Sequence, residues 1–185
     1  MITTNPHKEK ITPLRVSFPK TLTDILNNSV AGKYFEHRKS KYHFLSLIMG
    51  EAGYLKADTE IYSPNKHFKG RIPQYILSDQ FSHITSSGKL IFPLVCLTEV
   101  LREATVNLWF KHESSYYHIT DLDMSPNGKV YSEAEVYSLA GEFKGNFHHY
   151  PLSDNFELVS EKDLPMGPFI CLKPQNNKNK ITSAS

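Results

Sequence analysis

Two side chains in this sequence are of the types that move protons on a bound substrate: His83, in the polar stretch QFSHITSSG, and Glu99, in the apolar stretch LVCLTEVL. An imidazole titrates near neutral pH and a buried carboxyl can be tuned toward it, so one group can take a proton while the other gives one. A carboxylate in an apolar run is costly unless it is paired or faces a cleft. Arg102, three residues further on, is the nearest candidate partner for Glu99.

The remaining candidates carry weaker chemistry. His148 and His149 are adjacent in a strand-like run, so they point to opposite sides and do not share a metal ion. Asp121 and Asp123 share a strand face but lack a third ligand or a glycine-rich loop, and no metal site or cofactor is expected. Cys96 and Cys171 are far apart and suggest neither a disulfide framework nor a metal pattern, which fits a reducing compartment. Tyr116, Tyr117, Tyr131 and Tyr137 are of the type that stacks nucleic-acid bases in a basic protein. Here 21 Lys and Arg meet 19 Asp and Glu, and a net charge of +2 supplies no field for nucleic acid or an anionic membrane. These tyrosines read as sheet residues.

The elements that would position His83 and Glu99 follow from periodicity. Thr21 and Thr23 cap a helix whose Leu22, Ile25, Leu26 and Val30 fall on one side, ending near Gly32. KYHFLSLIM, Lys41 to Met49, reads as a buried strand, and GYLKADTEIY as its antiparallel partner. Ser63 to Lys89 carries Pro64, Gly70, Pro73 and Gly88 and reads as a long irregular connection. Pro93 opens the best helix, with Leu94, Leu97, Leu101, Ala104 and Leu108 in one stripe. SYYHITDLDM, KVYSEAEVYSL, EFKGNFHHY and FELVS are four further strand-like runs, separated by the turn signals SPNG, LAG and PLSDN.

The chain of 185 residues, 39% hydrophobic, reads as a single domain over 20–165, with an N-terminal arm over 1–19 and a polar tail over 166–185. No internal repeat is read. No signal-peptide core is present near the start, and the longest apolar run, around Leu90 to Leu97, is far too short for a membrane span, so a soluble cytoplasmic protein is expected.

The segment GKLIFPLVCLTEVLREA, Gly88 to Ala104, resembles a stretch of the 3-hydroxyacyl-ACP dehydratases, which have the hotdog fold; Gly88, Lys89, Ile91, Pro93, Val95, Glu99 and Ala104 match it in register. FEHRKSKYHFLSL resembles the Pro-His-Arg stretch and apolar strand that open those enzymes, and His83 falls near the place of their catalytic histidine. The resemblance covers about residues 22 to 139. It implies an α+β hotdog fold, a curved antiparallel sheet wrapped around a long central helix over about 93–110. It also implies a lyase of fatty-acid or secondary-metabolite synthesis with His83 as base and Glu99 as acid. The start of the helix, at Pro93, Leu94 and Val95, would bind the thioester carbonyl through free backbone N–H groups. Acyl carrier protein or acyl-CoA would deliver the substrate, without a cofactor, and two protomers would complete each site in a homodimer.

Two rivals stand beside it. LREATV, Leu101 to Val106, resembles a helix of the A-factor synthase family, hotdog proteins that condense an acyl thioester toward a butyrolactone signal. The third reading is a non-catalytic module that binds an acyl chain or a protein, suggested by Leu94 where the dehydratases have glycine and by the longer loop after His83.

Overall fold

A computed structural model describes residues 21–50 and 52–165. The expected arm over 1–19 and tail over 166–185 lie outside them. The chain runs α1 (Leu22–Val30), β1 (Tyr34–His37), β2 (Ser40–Met49), β3 (Leu55–Tyr62), β4 (Phe68–Ile76), β5 (Ser82–Ile84), α2 (Leu97–Thr105), β6 (Trp109–His112), β7 (Ser115–Met124), β8 (Val130–Ser138), β9 (Phe143–Pro151) and β10 (Glu157–Val159), ending in a short 3-10 turn at Glu161–Asp163. The strands form two five-stranded antiparallel sheets, ordered β4-β3-β2-β1-β5 and β10-β6-β7-β8-β9. α1 packs on β2, α2 packs on β7, and the two helices pack on each other.

This overturns the expected hotdog fold. No long central helix runs over 93–110: α2 has nine residues, and Trp109 and Phe110 belong to β6 instead. The helix begins late because Cys96 is extended and bridges Ser82 beside β5, and it stops early because Val106 is extended and Asn107 has φ 67°. Leu94, expected on the buried stripe, is exposed, whereas Leu97 and Leu101 are fully buried. The expected irregular connection over 63–89 holds β4 and β5. β4 is an edge strand with little burial, so no apolar alternation marks it in the sequence.

The chain is also an internal repeat, which the sequence reading missed. Residues 21–85 and 96–160 correspond element for element at a constant offset of 75 positions. LTDIL at Leu22 recurs as LTEVL at Leu97, Phe68-Lys69-Gly70 recurs as Phe143-Lys144-Gly145, and Leu77-Ser78-Asp79 recurs as Leu152-Ser153-Asp154. The inward positions of β2, Tyr42, Phe44, Leu47 and Met49, change parity at a bulge between Phe44 and Ser46; Tyr117, Ile119, Leu122 and Met124 of β7 do so between Ile119 and Asp121. Left-handed φ values recur as well: Arg38 at 48° and Glu113 at 51°, Gln74 at 53° and His149 at 55°.

The two repeats face each other across a pseudo-twofold axis. Leu55 N–H donates to Gly128 O at 2.8 Å while Val130 N–H donates to Gly53 O at 3.0 Å, and Tyr54 bridges Lys129, its own counterpart. Leu97 N–H donates to Phe81 O at 2.8 Å, and Leu22 N–H donates to Phe156 O at 3.0 Å. Each contact thus appears twice with the roles exchanged, as in a self-complementary dimer interface, but within one chain. One apolar core containing Phe35, Phe44, Phe81, Phe110 and Phe156 spans both repeats. Burial pushes the Tyr42 and Tyr117 hydroxyls, equivalent positions, both up to about 12.

Candidate functional site

The outer face of the first sheet carries a cluster of aromatic and charged side chains set by strand register. Tyr34 of β1 lies directly across from His43 of β2, which lies across from Glu60 of β3; Lys41 lies across from Tyr62. Side chains directly opposite on one sheet face are close enough to interact. The Tyr34 and His43 rings stack at 4.4 Å and 9°. A 3.1 Å hydrogen bond joins His43 Nδ1 to Glu60 Oε2, and the Tyr62 hydroxyl donates to the same oxygen at 2.8 Å. The bonds from His43 and Tyr62 hold the Glu60 carboxyl below its ordinary range, and the bond to Glu60 raises the Tyr62 hydroxyl.

The two outer members of this network, Tyr34 and Tyr62, line a cavity of about 200 Å³ together with Lys41, Lys66 and Ser86. Lys66 is carried into it by a left-handed residue in the β3–β4 turn, and Ser86 by the turn after β5. That turn is fixed by its own bonds: Gly88 N–H donates to Thr85 O at 2.8 Å, and Lys89 N–H to Thr85 Oγ1 at 3.0 Å. The Lys41 amine lies against Gly88, where any Cβ would meet it. Among the described residues no carboxylate pairs with Lys41 or Lys66. The chemistry is that of holding rather than converting: two ammonium groups at the rim, two aromatic walls, and an acid–base pair already engaged with itself.

The second repeat builds the same network. Trp109 stacks on His118 at 4.6 Å, His118 Nδ1 is 3.2 Å from Glu135 Oε2, and the Tyr137 hydroxyl donates to that oxygen at 3.3 Å. Two halves that differ at most outer positions have both kept aromatic ring, histidine, glutamate and tyrosine in these places.

The residues expected from sequence stand elsewhere. His83 lies on β5, with its N–H donating to Val95 O at 2.8 Å and its half-buried ring 5.2 Å from Phe35. Burial, then the positive charge of Lys33, pushes its imidazole below the ordinary value. Glu99 is the third residue of α2, and its Oε2 accepts the Cys96 N–H at 2.7 Å. It is a helix cap, as is Asp24 in α1, which accepts the Thr21 N–H at 3.1 Å. Arg102 reaches Asp121 at 2.6 Å, not Glu99. Pro93 and Leu94 are exposed in the segment between the repeats, and Val95 is half-buried with its carbonyl taken by His83. His83 and Glu99 thus flank the entry to α2, and no hydrogen bond or ion pair joins their side chains among the described residues.

In the second repeat Leu108 and Leu158 occupy the positions of Lys33 and His83. A histidine whose folded value is depressed resists protonation, so the unfolded chain binds more protons below pH about 6.5 and stability falls there. The expected result is that His83→Leu raises the melting temperature more at pH 5.5 than at pH 8. Thermal melts of both proteins across that range check it; parallel curves would mean that His83 titrates alike folded and unfolded.

His43, Lys41, Glu60 and Tyr62 were not singled out from sequence. The signal that would have found His43, Glu60 and Tyr62 is the recurrence of Tyr or Trp, His, Glu and Tyr at positions 34, 43, 60 and 62 and again at 109, 118, 135 and 137; Lys41, replaced by Tyr116, carries no such signal. Among the described residues no helix is long and apolar enough to cross a membrane. Comparison of the chain with protein families, with curated proteins and with solved structures finds no match.

Proposed function

We propose that this protein is a binding module whose ligand is anionic and partly apolar, held in the groove between Tyr34 and Tyr62. The observation that carries this reading is the pair Lys41 and Lys66, without carboxylate partners among the described residues, lining an aromatic cavity of about 200 Å³. Surface lysines normally stay in water, and two that converge on a concave aromatic site gain most when an anion brings its own apolar part into the walls. The network His43–Glu60–Tyr62 keeps the Tyr62 ring in place for that contact.

The test is a titration of the 15N-labelled full chain with 3-phenylpropionate, followed by amide chemical shifts. Shifts are expected around Tyr34, Lys41 and Tyr62, weaker with the neutral amide of the same acid, and absent in the Lys41→Gln, Lys66→Gln double variant. Shifts of equal size in that variant would overturn the assignment.

A second reading keeps acyl-thioester chemistry, dehydration or the A-factor-type condensation, with acyl carrier protein or acyl-CoA as the source. The observation favouring it is His83, whose half-buried imidazole is pushed below its ordinary value by burial and then Lys33, which favours the neutral form that a general base needs. Incubation with 3-hydroxyacyl thioesters, read by the absorbance of the conjugated product, tests it: the activity should disappear in His83→Ala, and turnover unchanged by both His83→Ala and Glu99→Gln would remove these residues from any mechanism.

A further inference from the structure

The two copies of the groove differ in what fills them. In the second repeat Leu164, 5% exposed, is seated against Trp109 and Tyr137, with Tyr116 and Val159 packed around them. It is delivered by the strap Ser160-Glu161-Lys162-Asp163-Leu164, whose 3-10 turn follows β10 directly. In the first repeat the equivalents of Trp109, Tyr137 and Val159 are Tyr34, Tyr62 and Ile84, and the groove stands open as the cavity described above. The chain after β5 cannot supply a strap there, because it folds back into the Thr85–Lys89 turn. Two of the lining positions of the open copy also carry lysines that the closed copy lacks: Lys41 stands at the place of Tyr116, and Lys66 at that of Gly141.

We infer that the open groove takes a leucine-sized apolar side chain from an acidic peptide segment of a partner protein, seated as Leu164 is seated in the closed copy. The closed copy shows the occupant that this constellation of rings accepts, a leucine side chain, while the rest of the strap, Glu161, Lys162 and Asp163, stays exposed. The acidic character follows from Lys41 and Lys66 at the open copy, since a peptide from another molecule has no tether and gains from charge attraction at encounter. Anchoring by one buried side chain with charged groups at a solvated rim is the common division of labour in peptide grooves.

This inference rests on the binding role proposed for the same groove. The test uses the full chain and the acetylated, amidated peptide Ser-Glu-Glu-Asp-Leu. Binding is followed by amide shifts at Tyr34, Lys41 and Tyr62. Replacing the peptide's leucine by alanine should weaken binding about tenfold, the loss expected for leaving one leucine side chain unburied. Replacing its acids by amides, or raising the salt from about 0.05 M to 0.5 M, should weaken it several-fold. Lys41→Gln with Lys66→Gln should do the same as removing the acids, with the far-ultraviolet circular dichroism unchanged. Binding of 3-phenylpropionate in the groove without the peptide would overturn the inference and leave the binding role standing; absence of both would overturn both. Peptide binding indifferent to the leucine would show a purely electrostatic contact and also overturn it.

Discussion

Gly53→Ala and Gly128→Ala should each lower the stability of the whole molecule by about 3 kcal/mol or more, far beyond the ordinary cost of alanine for glycine. Both residues are in the left-handed region, at φ 79° and 85°. That conformation alone costs an L residue about 1–2 kcal/mol. A Cβ on Gly53 would also stand 2.5 Å from the Leu152 carbonyl oxygen, and one on Gly128 would strike that of Leu77, its symmetry mate. Those carbonyls belong to the chain crossing from the other repeat, and neither can retreat without disturbing the paired bonds Leu55 N–H to Gly128 O and Val130 N–H to Gly53 O. Gly32 is the control: it has φ 79° but open space where a Cβ would go. Gly32→Ala should cost about 1 kcal/mol, and Gly32→Asn, the residue at its counterpart Asn107, less. Urea denaturation of the four variants measures this. If the Gly53 and Gly128 variants lose no more than Gly32→Ala, the close crossing at the axis does not contribute as described.

Phe81→Ala and Phe156→Ala form the second expected result. Each ring is fully buried and touches the same three neighbours: His37 at 4.8 Å, Tyr42 at 5.0 Å and Tyr75 at 6.2 Å for Phe81, and His112 at 4.5 Å, Tyr117 at 5.2 Å and Tyr150 at 6.2 Å for Phe156. Removing a buried phenylalanine costs about 3–5 kcal/mol, a large share of the stability of a domain this size. The two losses should be of similar size, because these three contacts are equivalent, while Phe81 also meets Phe44 at 5.5 Å and Phe156 meets Phe110 at 6.3 Å. Each ring's own carbonyl also ties one repeat to the entry of a helix in the other half. Unfolding should therefore remain a single transition in both variants. Trp109 is the single tryptophan and lies in the second repeat, so its fluorescence reports on that half. In Phe81→Ala, tryptophan fluorescence and circular dichroism should give one midpoint; a tryptophan transition lagging behind would mean that the halves unfold separately.

Much of the local structure was readable in the sequence, because it follows from periodicity and turn chemistry. The Thr21 cap with Leu22, Ile25, Leu26 and Val30, the strand Lys41 to Met49 and its partner, and the later runs ending near Val159 all form as their patterns imply. The global fold was not readable by the same means. The stripe Leu94, Leu97, Leu101, Ala104, Leu108 fits a long helix as well as the nine residues that form one, and what delays its start is a tertiary bridge of Cys96 to Ser82. A long helix drawn across that point also cuts through the boundary between the repeats. The repeat itself was obscured because its identical residues, among them the core pairs Leu22 and Leu97, Phe35 and Phe110, and Phe81 and Phe156, stand singly or in short runs among positions that differ, such as Ile25 for Val100, Phe44 for Ile119 and Leu55 for Val130. With the repeat unseen, His83 and Glu99 drew notice for their types alone. The groove at Tyr34 and Tyr62 depends on cross-strand register, which a single strand's sequence does not contain.

The axis through Tyr54 and Lys129 also frees the molecule from a rule that binds any pair of identical chains. In such a pair a lysine written at one site is written at both, so a groove cannot be opened on one side and sealed on the other. Here one gene product carries two separately spelled copies of the same surface. Tyr116 and Leu164 close one, Lys41 and Lys66 arm the other, and the shared core keeps both in shape. The molecule can therefore hold one half fixed as a frame while substitutions in the other change what it meets.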